Sequence, residues 1–172
     1  DFDPVMPTGS ENAIKSIGNS STPPRDMHSE RDALSLLQAL SELVAERLRR
    51  HGLMCSTVVL SVRDNALSCF ERQMRLPQPS CISIELRDAA MKLLRDNYDW
   101  KRPIRSLGIR GCALTSALEP MQLSFFTDNA DRDKRLTIER TVDAIRKKHG
   151  KSAMSLGTAA YIKELGKLPE NE

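Results

Sequence analysis

Aromatic residues are scarce in this 172-residue chain, making up 4% of it as one Trp, two Tyr and four Phe. A sheet that stacks nucleic-acid bases needs several exposed aromatic rings, so the composition argues against base stacking. Long apolar runs are also missing, since none approaches the roughly 20 residues of a membrane span, and no signal-peptide pattern opens the sequence. We therefore expect a cytoplasmic protein with no membrane partner.

The sequence also lacks the residue spacings typical of metal sites and catalytic centres. Its cysteines, Cys55, Cys69, Cys81 and Cys112, are far apart and include no Cys-x-x-Cys pair, so neither a zinc site nor a disulfide framework is indicated. No Gly-rich phosphate loop and no nucleophile with a partner base is found. We expect no cofactor, no metal and no catalytic residue in this chain, and thiols that pack as small apolar groups in a reduced compartment.

An alternating stretch in the middle of the chain predicts the centre of a sheet. Cys55–Arg63 alternates apolar with polar side chains, the two-residue period of a half-buried strand. The turn residues Asp64–Asn65 follow, and then a second extended run, Leu67–Leu76, which we expect Pro77 and Pro79 to end. This pattern predicts a β-hairpin with a polar and basic outer side.

Helices and strands flank this hairpin on both sides. A helix with a leucine stripe should start at a Ser29 or Asp26 cap and end before Gly52, and a second should start at Ser80 or Ser83 and end around residues 97–100. Short strands are expected at residues 13–19 and 103–115. The order strand, helix, strand, strand, helix, strand predicts an α+β fold, a split βαβ (ferredoxin-like) four-stranded antiparallel sheet with two helices on one face.

The sheet side away from the helices is predicted to be bare, small and cationic. Small residues let backbone donors approach a ligand closely, and arginine forks fit phosphate oxygens. The alternation does not decide whether Arg72 or Arg75 faces this side, and an ordinary solvated surface is the alternative to a binding face. The candidate contacts with a phosphate backbone are Lys15, Ser16, Gly18, Arg63, Arg72, Arg75, Arg105, Ser106 and Arg110.

Three motifs in this order resemble the little-finger domain of Y-family translesion DNA polymerases, the DNA polymerase IV and UmuC-type enzymes. They are Lys15–Asn19, Arg72–Pro77 and Arg102–Arg110. The resemblance implies a domain that grips primer-template DNA by its backbone, largely without reading sequence, through the candidate residues above. Ser106 and Met74 stand where this family often has a second basic residue, so the grip there should be weaker.

The resemblance covers about residues 1 to 126 and concerns a DNA-holding piece of a longer enzyme. A polymerase needs paired carboxylates that hold two metal ions on rigid strands. The acidic pair Asp1 and Asp3 lies in a Pro-containing linker that cannot preorganise metals. We expect this chain to be inactive alone, with Mg²⁺ confined to the catalytic palm domain of the parent polymerase. The resemblance implies that the parent enzyme is located at the bacterial nucleoid. It also implies that the enzyme acts in SOS-induced lesion bypass and DNA repair.

A short apolar motif follows the predicted domain. Gln122, Leu123, Ser124, Phe125 and Phe126 resemble the pentapeptide by which bacterial polymerases bind the β sliding clamp, with Phe125 in place of the commoner Leu. A tethered peptide of this kind gains avidity when clamp and domain hold the same DNA. The alternative is that these side chains fold back onto the core of the domain.

The last part of the chain is predicted to be a basic helix. Leu136–His149 carries Ile138, Val142 and Ile145 on one stripe, and Gly150 ends it. We expect a surface helix docked by that stripe; a second DNA contact, or a contact with an accessory subunit, is the alternative. Members of the UmuC branch often carry such an extension where polymerase IV proteins end, so the resemblance inclines toward the UmuC branch. The predicted divisions are a linker at 1–12, the DNA-binding domain at 13–117, a clamp-binding linker at 118–131, a helix at 132–150 and a poorly ordered tail at 151–172.

Two other classes of function share this order of strands and helices. An RNA-binding module of RRM-like topology would need stacked aromatic residues on its two central strands, where Phe70 is the only aromatic side chain that we assign. A ligand-sensing regulatory domain is the other class. Neither of them accounts for Gln122–Phe126.

Overall fold

The computed structural model describes residues 14–117, 129–150 and 153–154, and within them strands and helices follow one another in the predicted order. The predicted linker at 1–12 and nearly all of the predicted tail at 151–172 lie outside the described residues. The elements are β1 (Ser16–Ser21), α1 (Glu30–Arg50), β2 (Leu53–Asp64), β3 (Cys69–Ser80), α2 (Ser83–Asn97), β4 (Ile104–Ser116) and α3 (Asn129–His149).

The four strands form one antiparallel sheet in the order β1-β4-β2-β3. Helix α1 connects β1 to β2 with β4 lying between them, and α2 connects β3 to β4 with β2 between them. These are two interlocked split βαβ units, so the predicted α+β class and antiparallel sheet are confirmed. The central strands are β4 and β2, whereas a ferredoxin-like sheet has its first and third strands in the centre.

Helix α1 has the boundaries that its sequence predicts. The Ser29 hydroxyl oxygen accepts a hydrogen bond from the backbone N–H of Asp32 at 3.2 Å, so Ser29 rather than Asp26 is the N-cap. Gly52 follows the helix with a φ of +64°, a left-handed conformation that glycine adopts without steric cost. The predicted leucine stripe of the helix is buried against the sheet.

One core lies between the two helices and the side of the sheet that they cover. The strands supply their alternate apolar residues and the helices supply their apolar stripes, as the two periods predict. The largest fully buried side chains are Met27, Leu36, Leu37, Leu40, Leu48, Leu60, Leu86, Leu94, Ile104, Leu107 and Ile109.

Strand β3 is longer than predicted and contains both of the prolines that were expected to end it. It runs to Ser80 through Pro77 and Pro79, which is possible because β3 is an edge strand with one side unpaired. The register of its pairing with β2 shifts at this point: Arg75 lies opposite Thr57, and the next paired residue of β3 is Ser80, opposite Cys55. The prolines therefore lie in an irregular segment that needs no regular ladder of hydrogen bonds.

Helix α3 packs on the rest of the molecule through polar groups and through part of its apolar side, since Leu136 packs against the core and Val142 and Ile145 are half-buried. The Glu139 carboxylate accepts hydrogen bonds from the backbone N–H of Ser83 at 3.0 Å and from its hydroxyl at 2.6 Å. It thereby caps the first turn of α2, which has no side-chain cap of its own. Ile138, predicted to lie in the packed stripe, is 63% exposed. The expectation of apolar docking is wrong at this position.

Candidate nucleic-acid interface

The strand register defines which side chains share the uncovered side of the sheet, here called the open face. Directly opposed residues in an antiparallel pair point to the same side. Ser16, Cys112, Thr57 and Arg75 therefore form one row across the four strands, and three further rows follow it. The remaining residues of the open face are Gly18, Arg110, Val59, Gln73, Ser20, Gly108, Ser61, Glu71, Ser106, Arg63 and Cys69.

The centre of the open face is made of small residues for a steric reason. A Cβ atom added at Gly108 would lie 2.4 Å from the Ser61 hydroxyl oxygen and 3.0 Å from the Ser20 Cβ. At Gly18, an added Cβ would lie 2.9 Å from the Cβ of Arg110. These glycines let neighbouring side chains cross their strands. The stem of Arg110 consequently lies over β1, next to the predicted contact residue Gly18.

Three arginines on the open face are exposed, at Arg63, Arg75 and Arg110. Arg110 pairs with Glu71 at 3.0 Å, and the two side chains are 45% and 58% exposed. Exposed pairs of this kind are worth about 0 to 1 kcal/mol, so a phosphate can replace the carboxylate at small cost. With three arginines against one glutamate, the open face carries a net charge of +2.

The Arg75 side chain has no hydrogen-bond partner among the described residues. The only hydrogen bond of the Arg63 side chain within them runs from its Nε to the Cys69 sulfur at 3.2 Å. A sulfur atom is a weak acceptor. Both guanidinium groups therefore keep most of their five donors for a ligand. Their placement agrees with the predicted phosphate contacts.

Arg72 is a predicted contact that the structure places elsewhere. It is paired with Leu60, whose side chain is buried in the core, so it lies on the helix-covered side of β3. Its Nε donates to the Asn97 side-chain oxygen at 3.1 Å, and its guanidinium lies 5.4 Å from the centre of the Phe70 ring. Of the two alternatives that the alternation left open, Arg75 shares the open face and Arg72 does not.

Arg105 is only partly available for a ligand. It lies in a bulge, because Ser106 pairs with Arg63 while Ile104 pairs with Asp64. Its guanidinium donates to the Pro23 carbonyl at 3.0 Å and to the Asp26 carboxylate at 3.3 Å, and the side chain is 37% exposed. Arg105 thus holds the loop before α1 at the margin of the open face.

The other predicted contacts fall as follows. Ser16, Gly18 and Ser106 lie on the open face as predicted. Lys15 is exposed and immediately precedes β1, so it lies at the edge of the sheet. Ser20 also belongs to the open face but was missed, because the first strand was expected to end at Asn19. Continuing the alternation two residues further would have found it.

The predicted clamp-binding residues Gln122, Leu123, Ser124, Phe125 and Phe126 lie outside the described residues, and their roles stay predictions. In the described part of the chain, no group of three or more His, Cys, Asp or Glu side chains could hold a metal ion. No helix among the described residues is long and apolar enough to cross a membrane. Burial raises the pKa of Cys55 to about 12 and also raises that of Cys81. These two thiols pack as apolar groups as expected, whereas the expectation is wrong for Cys69, which is exposed, and Cys112 is half-buried.

Comparison with known proteins finds one family model over most of the chain. Residues 14–125 match the impB/mucB/samB family C-terminal domain. The chain is 34% identical to a DNA polymerase IV of Acetivibrio thermocellus over 98% of its own length and 42% of that relative. It is 32% identical to DNA polymerase IV 2 of Bacillus subtilis over 90% of the chain and 37% of the relative.

The chain thus spans about two fifths of the length of these relatives. The match with the Acetivibrio protein covers 98% of the chain and therefore includes α3. The inclination toward the UmuC branch rested on polymerase IV proteins ending before such an extension, and that premise is wrong.

Two solved structures have similar backbones. One is a complex of a beta-clamp processivity factor and the little finger domain of PolIV, with a TM-score of 0.48 and 16% identity over 65% of this chain and 99% of that chain. The other is a post-insertion binary complex of Dbh DNA polymerase, with a TM-score of 0.49 and 12% identity over 59% of this chain and 29% of that chain.

Proposed function

This chain belongs to the impB/mucB/samB family of C-terminal domains, the little-finger domains of Y-family DNA polymerases, and we propose that its open face grips the backbone of primer-template DNA. The observation that carries this proposal is the open face itself. Its centre is small and polar, and its exposed arginines, Arg63, Arg75 and Arg110, are free or only weakly paired within the described residues. Such a surface fits the charged backbone of a duplex.

The contacts that we propose read shape and charge, not bases. Base stacking needs aromatic rings on the exposed side of a sheet. The described strands contain a single aromatic residue, Phe70, which lies on the edge strand β3 and stacks on Tyr98 on the helix-covered side. The central strands β2 and β4 have none. An RNA-binding module of RRM-like topology is therefore not supported.

In the full-length enzyme, this domain would hold DNA during lesion bypass while the palm performs nucleotide transfer with Mg²⁺. Gln122–Phe126 would dock the β sliding clamp, as its resemblance to clamp-binding pentapeptides implies. Tethering by DNA and clamp together can raise avidity by about 10² to 10⁴. A location at the bacterial nucleoid and a contact between α3 and an accessory subunit belong to the same proposal.

The DNA-binding proposal is tested by the salt dependence of affinity. Each phosphate contact adds about 0.9 to the slope of log K against log salt. Changing Arg63, Arg75 and Arg110 to Gln should therefore lower the slope by up to about 2.7 in fluorescence anisotropy with primer-template DNA. A matched control removes three exposed charges away from the open face, by Lys92→Gln, Lys134→Gln and Lys148→Gln. A flat salt dependence of the unmodified chain, or equal slopes for both variants, would exclude this face.

The clamp proposal has a separate test. Gln122→Ala with Phe126→Ala should abolish binding to the purified β clamp in surface plasmon resonance, while anisotropy with primer-template DNA stays unchanged. Clamp affinity retained by the double variant would reject the peptide assignment and leave the DNA-binding face standing.

A further inference from the structure

A second basic surface lies at the end of the sheet beside α3. A groove of about 620 Å³ opens between the C-terminal end of α1, the first residues of β2, the residue after β4 and one flank of α3. Its lining includes five basic and two acidic side chains. They are Arg49, Arg50, Arg140, Arg146 and Lys147 on the basic side, and Glu46 and Asp143 on the acidic side.

The position of α3 that forms this groove is set by ion pairs with the folded domain. Arg132 binds Glu85 of α2 at 2.6 Å, and Arg146 binds Glu42 of α1 at 3.2 Å. Between them, Arg49 of α1 binds Glu139 and Asp143, the latter at 2.6 Å. The two acids in the middle of α3 are thus turned inward and neutralised.

This inward turn leaves the cations on the flank of α3 without carboxylate partners. Arg140 and Lys147 are exposed and line the groove, and their side chains make no hydrogen bond or ion pair with any described residue. Arg50, at the end of α1, faces the same groove and is also exposed and unpaired within the described chain. Three ligand-accessible positive charges therefore converge on one concave surface, against one carboxylate there, that of Glu46, which has no ion pair with a described residue.

We propose that this groove, defined by Arg50, Arg140 and Lys147, is a second contact for the phosphate backbone of the duplex held by the open face. The proposal rests on the proposed DNA-binding function. Three unpaired cations in a concave surface complement phosphodiesters, not an apolar or basic partner. The groove reaches Leu53 and Ala117, which lie at the same end of the sheet as the open-face row of Ser16, Cys112, Thr57 and Arg75.

The test combines a salt slope with a footprint on the full chain. A variant with Arg50→Gln, Arg140→Gln and Lys147→Gln should lower the slope by about one for each phosphate that the variant no longer binds, up to about 3. Hydroxyl-radical footprints on primer-template DNA should shorten at one end only and keep the protection due to the open face. The matched control is again Lys92→Gln, Lys134→Gln and Lys148→Gln, which changes the charge equally outside the groove.

The outcomes distinguish this proposal from the one on which it rests. An unchanged slope and footprint in the groove variant, with a lowered slope in the open-face variant, would overturn the second contact alone. Equal reductions of the slope in the groove variant and the control would also overturn it, because the effect would then be general charge. A charge-retaining variant, Arg50→Lys with Arg140→Lys, leaves Lys147 unchanged. If this variant keeps the full salt slope, positive charge at these positions is sufficient and the proposal is supported.

Discussion

Replacing Arg49 by methionine should release α3 from the domain without unfolding the domain itself. The guanidinium of Arg49 donates to Glu139, to Asp143 and to the Cys81 carbonyl at 2.7 Å, and its side chain is only 9% exposed. Methionine keeps most of the side-chain stem but no donor. Two half-buried carboxylates of α3 then face each other and an apolar surface without a cation.

The size of the effect follows from the burial of these partners. Removing one member of a buried ion pair costs about 3 to 5 kcal/mol. Glu139 and Asp143 keep 18% and 23% of their side-chain surface exposed, and Glu139 retains its two bonds from Ser83. We therefore expect the docking of α3 to weaken by about 2 to 3 kcal/mol, an increase of about 30-fold to 150-fold in its detached population.

Hydrogen exchange followed by mass spectrometry measures the detached population of α3 directly. Amides of α3 should exchange faster by that factor, whereas amides of β2 and β4 keep their protection. Lys148→Met, an exposed change on the same helix, is the matched control. Unchanged exchange in α3 of the Arg49→Met protein would refute the view that ion pairs hold this helix.

The weakening of docking should also depend on pH in a defined direction. Burial already raises the pKa of Glu139 above its ordinary value of 4.5, against the opposing effects of the Ser83 hydrogen bonds and the charge of Arg49. Without Arg49 the pKa rises further. A group with a raised pKa in the docked state favours docking below its ordinary pKa and loses that contribution as the pH rises through the raised value. Docking in Arg49→Met should thus recover toward pH 4.5 and be weakest at neutral pH.

Three further predictions concern the sheet and the hairpin. Gly108→Ala should destabilise the protein by about 1 to 3 kcal/mol in urea titrations, and Ser61→Ala should partly restore it, because that change removes the oxygen 2.4 Å from the new Cβ; no restoration would contradict the steric reason. Exposed Cys69 should react with iodoacetamide at pH 8 while Cys55, with its pKa of about 12, stays unmodified in mass spectra; fast labelling of Cys55 would exclude its burial. Leu67 is 70% exposed at a φ of 65°, so Leu67→Asn should stabilise by about 0.5 to 1 kcal/mol, and a lowered melting temperature would count against strain there.

Local patterns predicted the parts of the fold that local interactions determine. The cap at Ser29, the leucine stripe of α1 and the alternation of Cys55–Arg63 each depend on neighbours within a few residues. The same holds for Ser16, Gly18, Ser106 and Arg110, whose parity along regular strands placed them on the open face. Regular alternation is sufficient wherever a strand has no bulge.

The errors occurred where the register is set by another strand. Arg72 and Arg75 are three residues apart and so lie on opposite sides of β3, and only the pairing of β3 with β2 decides which one faces outward. Pro77 and Pro79 were expected to end a strand because proline cannot donate a backbone hydrogen bond. An edge strand tolerates proline, and the sequence alone does not show that β3 lies at the edge. Arg105 shifted for the same reason, since a bulge opposite Arg63 is not visible in the sequence of β4 alone.

The docking of α3 could not have been predicted from its own sequence, because its partners lie far away along the chain. The sequence predicts Glu139 and Asp143 to be ordinary surface acids of a basic helix. It predicts their partner Arg49 to be one of the basic residues that suit the negative C-terminal end of α1. Only the fold brings them together, 90 and 94 residues apart. The apolar stripe was the stronger local signal, yet its residue Ile138 is exposed, and ion pairs join α3 to α1 and α2.

Charge segregation explains how a chain with a net charge of only +3 can present surfaces suited to DNA. Several acids at or beside the proposed contacts are paired with arginines: Asp26 with Arg105, Glu139 and Asp143 with Arg49, and Glu42 with Arg146. Each pairing removes a negative charge that would otherwise repel phosphate. Among the described residues, five cations without an acidic partner lie on these two surfaces: Arg63 and Arg75 on the open face, and Arg50, Arg140 and Lys147 in the groove beside α3. Since Coulomb attraction to a duplex is screened within about 8 to 10 Å at physiological salt, we expect these local balances, and not the total charge, to govern the proposed binding.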